Sequence, residues 1–288
     1  MVKFLKERLF ALILIVFMIY SCETIVNVSL PKHNPKIVVN SINNPLSPWV
    51  IDLSLSKGVF ESGEIKMLSG AKVEIFKNDI SIADFKEIKD GLYISSNVAP
   101  KINVDYRLKI SAEGFTPITA HCRIPKVVKI EAVSVKNVKN IDGDELELNI
   151  VFSDPPNIEN FYSLSIIDRG YYVYFSSNDL LFRDEESSLE FSGRRFYGYR
   201  ALFDDSVLKG NSYSLKLYIT PDENVKVFEV YLSSLSKDYY RYLITREAQE
   251  ETEDDPFVEP VMIFNNIKNG LGIFAGYNTS KYNVSYNK

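Results

Sequence analysis

Histidine, cysteine and tryptophan are scarce in this 288-residue chain, at two, two and one. The two histidines, His33 and His121, and the two cysteines, Cys22 and Cys122, form neither H-x-x-x-H nor C-x-x-C, which removes the common zinc spacings. Two cysteines allow one bridge at most, so the fold must rest on apolar burial, and a chain this long can supply it. An excess of positive charge is also missing: 33 Lys and Arg stand against 38 Asp and Glu, a net charge of −5. Nucleic-acid binding and general adhesion to anionic lipid both need a cationic surface, so neither is expected. G-x-S-x-G does not occur, and "GLGIFAG" at 270–276 is followed by neither Lys-Ser nor Lys-Thr, so no serine-hydrolase elbow and no phosphate loop is read. Paired acids such as Asp204–Asp205 sit at no calcium-loop spacing. The reading is of no catalytic residue, no metal, no cofactor and no enzymatic activity.

A long hydrophobic run is absent as well. The longest, "LFALILIVFMIY" at 9–20, spans about 12 residues, or ~18 Å as a helix, against a bilayer core of ~30 Å. It follows the basic "MVKFLKER" and ends at Ser21–Cys22. That is the three-part plan of a secretory signal over 1–21. A small residue directly before Cys22 looks like a lipobox, with cleavage before Cys22 and acylation of its thiol and new amine. Several acyl chains would anchor the chain firmly, since each buried CH₂ contributes about 0.8 kcal/mol. The alternative is an ordinary signal cut nearby, leaving Cys22 a plain thiol. Without residues 1–21, which carry three cations and one acid, the net charge becomes −7. Cys122, in the alternating "ITAHCRIP", reads as a buried strand thiol, with its neighbour His121 on the opposite face.

What is abundant is the alternating pattern of β-structure and the aromatics that suit it, 18 Tyr and 18 Phe. Residues 22–35 read as a lipidated tether. Short alternating runs between Gly, Asn, Asp and Pro turns predict an Ig-like or transthyretin-like β-sandwich over 36–125. A second β-rich domain is expected over 126–288, with "SDPPN" at 153–157 a firm break. Only "SKDYYRYLITREAQEE" changes to helical period, which predicts one helix at about 236–250, capped by Ser236. The tail 259–278 reads as a strand, a turn and a strand, with Gly270, Gly272 and Gly276 at turns or close approaches.

Three aromatic clusters remain: "YYVYF" at 171–175, "RRFYGYR" at 194–200 and "DYYRY" at 238–242. Most such rings belong to a core, but aromatics beside arginine also form binding surfaces. "RRFYGYR" concentrates Arg194, Arg195, Phe196, Tyr197, Tyr199 and Arg200 in an otherwise acidic chain, and is the candidate ligand or partner surface.

The order "SCE", "LPKHNPKIVVNSI", "SGAKVEIFKND", "DGLYIS", "VDYRLKISAEGF", "VFSDPPNIENFYSL", "LSKDYYRYL" and "EPVMIFNNIKNGLGIFAGY" resembles the Bacteroidota lipoproteins grouped as domain of unknown function 4249. The likeness covers nearly all of the mature chain, and the first domain is also similar to a carboxypeptidase-regulatory-like sandwich. It transfers no catalytic residue. It implies an outer-membrane, lipid-anchored protein facing the periplasm or the cell surface. Its role would be that of an accessory or substrate-capturing component beside TonB-dependent outer-membrane receptors. An envelope hydrolase acting on glycans or peptides and a structural spacer are the alternatives.

Overall fold

Period-two alternation, interrupted every few residues by turn formers, folds here as the pattern predicts. The computed structural model describes residues 33–58, 61–96, 98–140, 143–182, 196–208, 210–220, 227–252 and 258–286. They are mainly strand, with one α-helix. The strands are β1 (Ile37–Asn43), β2 (Val50–Leu55), β3 (Lys72–Lys77), β4 (Ile80–Ala83), β5 (Phe85–Lys89), β6 (Leu92–Ser95), β7 (Asp105–Ser111), β8 (Ile118–Arg123), β9 (Ile130–Asn140) and β10 (Gly143–Ser153). They continue as β11 (Phe161–Asp168), β12 (Tyr171–Tyr172), β13 (Phe175–Ser177), β14 (Phe196–Gly198), β15 (Arg200–Asp204), β16 (Ser212–Ile219), β17 (Val227–Leu235) and β18 (Leu271–Ser285).

Three sheets form. A nine-stranded sheet runs β12-β11-β17-β18-β1-β2-β6-β5, with β15 also on β11; a five-stranded sheet runs β14-β13-β16-β10-β9; a four-stranded sheet runs β4-β3-β7-β8. Two hydrophobic cores lie among them. The first gathers Trp49, Ile51, Leu53, Ile75, Tyr106 and Leu108 with Phe274. The second gathers Leu148, Phe152, Tyr162, Phe203, Leu217 and Val230 with Val284 and Tyr286. Strand β18 serves both. Its first residues, Leu271–Gly276, pair parallel with Val38–Asn43 of β1, and Tyr277–Ser285 pair antiparallel with β17. The parallel ladder requires Gly272: its φ is +106° and an added Cβ would lie 2.0 Å from the Val39 carbonyl oxygen. Residues 35–288 form one compact unit.

The helix, α1 (Lys237–Thr252), starts where the sequence places its cap. The Ser236 hydroxyl accepts the Tyr239 N–H at 3.3 Å, and Asp238 sits in the first turn. Leu243, Tyr239, Tyr240 and Tyr242 pack it on Phe161, Leu235 and Tyr277 in a small satellite core. The tail differs from the expected strand, turn and strand. Residues 259–267 form no strand, and only the last segment, as β18, joins a sheet. Side chains meet the main-chain groups of this stretch instead. Phe264 N–H donates to Thr245 Oγ1 at 2.8 Å, and Asn266 accepts from Phe274 N–H at 2.9 Å while donating to the Phe274 carbonyl, also at 2.9 Å.

Candidate functional site

The segment 196–204 changes sheets. Strand β14 pairs with β13 in the five-stranded sheet, and two residues later β15 pairs with β11 in the nine-stranded one. Tyr199 is the bend between them. Strands that switch between the layers of a sandwich do so through bends of this kind. Gly198 allows the fold here, since a Cβ would come within 2.9 Å of the Phe196 ring.

Tyr197 and Tyr199 stand 58% and 56% exposed at this corner. Tyr174, which leads into β13, joins them: its ring stacks at 6.3 Å from Tyr197 and meets Tyr199 edge-on at 5.0 Å. Just upstream, Arg169 and Gly170 both take positive φ in the two-residue turn between β11 and β12, and Tyr171 and Tyr172 follow, both exposed. The corner is fixed from beneath. Phe196 points inward, its ring 5.5 Å from Phe175 and 5.1 Å from Phe182. The Arg200 guanidinium, partly exposed, pairs with Glu247 on α1, Nε to Oε1 at 3.1 Å, and ties the corner to the helix. Arg194 and Arg195 lie outside the described residues, as does Cys22.

Of the three aromatic clusters, then, two meet in space and one does not. Tyr174 of "YYVYF" and Tyr197 and Tyr199 of "RRFYGYR" form one tyrosine ledge. The rings of "DYYRY" are packing groups: Tyr240 lies 4.8 Å from Phe161, and Tyr239 lies 6.0 Å from Tyr277. Burial pushes the Tyr240 phenol up to about 12, with the Asp204 carboxylate adding to the shift. Cys122 is buried and its neighbour His121 exposed; desolvation pushes the thiol well above its ordinary range.

One polar centre escaped the sequence reading. Asp154, inside "SDPPN", is 3% exposed yet hydrogen-bonded at both oxygens. It accepts the Tyr162 hydroxyl at 2.5 Å, the Asn160 amide at 3.1 Å and the Gly210 N–H at 2.9 Å. Burial, and then this hydrogen bond, push the Tyr162 phenol far above its usual value. The break at 153–157 is therefore a knot that holds three segments together. Its only advance signal is a polar residue at the end of an apolar strand. Among the described residues no group of three or more His, Cys, Asp and Glu side chains is placed to hold a metal ion, and no helix is long and apolar enough to cross a membrane.

No curated protein matches the chain. Among solved structures, the crystal structure of collagen adhesin (CNA) from S. aureus is similar at 8% identity over 86% of this chain and 95% of that one. Its TM-score is 0.19, at which the likeness carries no argument. The family model is decisive: residues 23–283 match the domain of unknown function DUF4249, and the chain belongs to that family.

Proposed function

We propose that this chain is a lipid-anchored lipoprotein of the Bacteroidota outer membrane that works by binding and not by catalysis, with the tyrosine ledge as its contact surface. The observation that carries the reading is the trio Tyr174, Tyr197 and Tyr199, stacked on one another, exposed, and held from below by Phe196 and from the side by Arg200–Glu247. A soluble fold leaves mutually stacked rings in water at a cost in hydration, and such rigid rings with a polar tip dominate interfaces. The apolar run ending at Ser21–Cys22 supports the anchor. The binding partner is an outer-membrane receptor of the TonB-dependent class, for which the chain is an accessory component.

Fractionation of wild type and Cys22→Ala, combined with affinity capture in mild detergent, tests anchor and partner together. Wild type is expected in the outer-membrane fraction with a co-purifying barrel, and Cys22→Ala in the soluble fraction. Tyr197→Ser with Tyr199→Ser should keep the anchor and lose the partner. Capture that survives the double substitution points to a spacer, and capture of no barrel by wild type overturns the receptor reading.

A further inference from the structure

The tyrosine ledge and the entry to the fold lie toward opposite ends of one strand. The chain enters through Pro35 and Lys36 into β1, whose Val38 pairs with Leu271 at the beginning of β18. The ledge aligns with the other end of β18 by two routes. In the nine-stranded sheet Arg200, next to Tyr199, stands opposite Ser165, Ser165 opposite Tyr231, and Tyr231 opposite Lys281. In the five-stranded sheet Phe175, next to Tyr174, stands opposite Ile219, Ile219 opposite Leu146, and Leu146 opposite Asn137. Asn137 in turn accepts the hydroxyl of Tyr286, just past β18, at 2.6 Å. The ten steps from Leu271 to Lys281 span roughly 33 Å at about 3.3 Å per residue.

The two ends are held in fixed relation. Strand β18 runs unbroken through both cores, and the connection from β8 to β9 is strapped to it and to β17. The Val128 N–H donates to Ser234 Oγ at 3.0 Å, the Ile130 N–H donates to Ser280 Oγ at 3.0 Å, and the Asn278 amide donates to the Pro125 carbonyl at 3.3 Å. A hinge needs a few residues free to change φ and ψ, and these straps remove that freedom from the connection.

We propose, resting on the lipoprotein reading above, that the molecule is a rigid post. The lipid holds the entry end at the bilayer, and the ledge meets a protein surface of its partner that stands clear of the membrane by roughly 33 Å or more. A lipid surface is the competing occupant, because tyrosines also collect at membrane interfaces. Two observations disfavour it. The ledge lies at the end of β18 away from the entry, and the chain without residues 1–21 carries a net charge of −7, which anionic headgroups repel.

Energy transfer in vesicles tests this with the full-length lipidated protein. A donor dye is placed on Asn40→Cys or on Lys136→Cys, both exposed positions, and the acceptor is on the lipid. Cys122 is buried and Cys22 carries the lipid on this reading, so the introduced thiol takes the dye. Asn40 stands opposite Ile273, and Lys136 adjoins Asn137 at the Tyr286 end, so the two donors should differ in height by roughly 40 Å. Strong transfer from position 40 and loss of most of it at position 136 are expected. Equal transfer from vesicle-bound protein would show a molecule lying flat, and greater transfer from position 136 a ledge dipped into the bilayer. Either result overturns this inference and leaves the lipoprotein reading standing. Protein that does not stay with the vesicles overturns the lipoprotein reading, and this inference with it.

Discussion

The two cores are built from the same pattern and end differently at the surface. The first surrounds Trp49, which stacks at 5.6 Å on Phe274 and meets Tyr106 edge-on at 4.8 Å. Its buried polar groups are small, Ser41, Asn43 and Ser95, and the Trp49 indole N–H has no partner among the described residues. Its exposed apolar side chains are scattered aliphatics such as Leu46, Ile65 and Ile80. The second core contains a buried carboxylate that accepts three hydrogen bonds, and beside exposed aliphatics such as Ile158 and Val227 its surface carries exposed tyrosines gathered at one corner. Scattered single aliphatics are ordinary surface, whereas a clustered patch marks contact. On the proposed function, the first region is scaffold and the second carries the contact surface, with β18 making them one body.

The sharpest way to break that contrast is to cut the shared strand's contribution to one side only. Phe274→Ala removes a fully buried ring from the first core and should cost about 3–5 kcal/mol. Trp49 is the only tryptophan, so its fluorescence reads the first core alone, while tyrosine near-ultraviolet dichroism is weighted to the second. Because β18 is common, both signals should shift to the same lower denaturant midpoint. A shift of the tryptophan signal alone would mean that the regions unfold separately.

A smaller effect is expected at the polar knot. Asp154→Ala leaves the Tyr162 hydroxyl, the Asn160 amide and the Gly210 N–H without their acceptor, and should cost about 2–3 kcal/mol. Asp154→Asn retains an acceptor and should recover part of it. Thermal unfolding of the two variants measures the difference. Equal stability of Asp154→Ala and wild type would show that water replaces the carboxylate.

These two sites also show what could be read in advance and what could not. Alternation placed the strands, the period change placed α1 within two residues at each end, and Ser236 was legible as its cap because capping is a local act. The glycines of the tail were legible as close approaches, although not the strand they approach. Pairing of β1 with β18 joins opposite ends of the chain, and no local pattern encodes a partner that distant. The same blindness hid the site. "YYVYF" and "RRFYGYR" were visible as separate clusters, but their union needs β13 and β14 to pair. The pairing of Arg200 with Glu247 was equally hidden, because the two lie on different elements 47 residues apart. Asp154 read as a turn former because its donors come from the start of β11 and its approach and from Gly210, 56 residues away, which the turn pattern does not announce.

Alkali tests the helix that supports the corner. Tyr240 is held protonated by burial up to about 12, while an unfolded tyrosine ionises near ~10. Below ~10 both states hold the proton, so the contribution is complete there. Above it the unfolded state releases its proton first, and stability falls until the folded phenol titrates at about 12. Loss of about 2 kcal/mol across that interval is expected from this residue. Tyr240→Phe should flatten the decline, measured as the denaturant midpoint against pH. A decline unchanged in Tyr240→Phe would assign it to other groups.

The smallest effect is the most informative about function. Tyr197 and Tyr199 are more than half exposed and rest on other exposed rings, not on the core. Each change to serine should therefore alter stability by no more than about 0.5 kcal/mol. Phe196 differs by one position and by facing inward, so Phe196→Ser should cost about 2 kcal/mol or more. A side chain that can be removed without loss of stability, beside one that cannot, is kept for something outside the fold. Were Tyr197→Ser as costly as Phe196→Ser, the ledge would be part of the packing, and the division between scaffold and recognition would fail at the place where it is drawn most firmly.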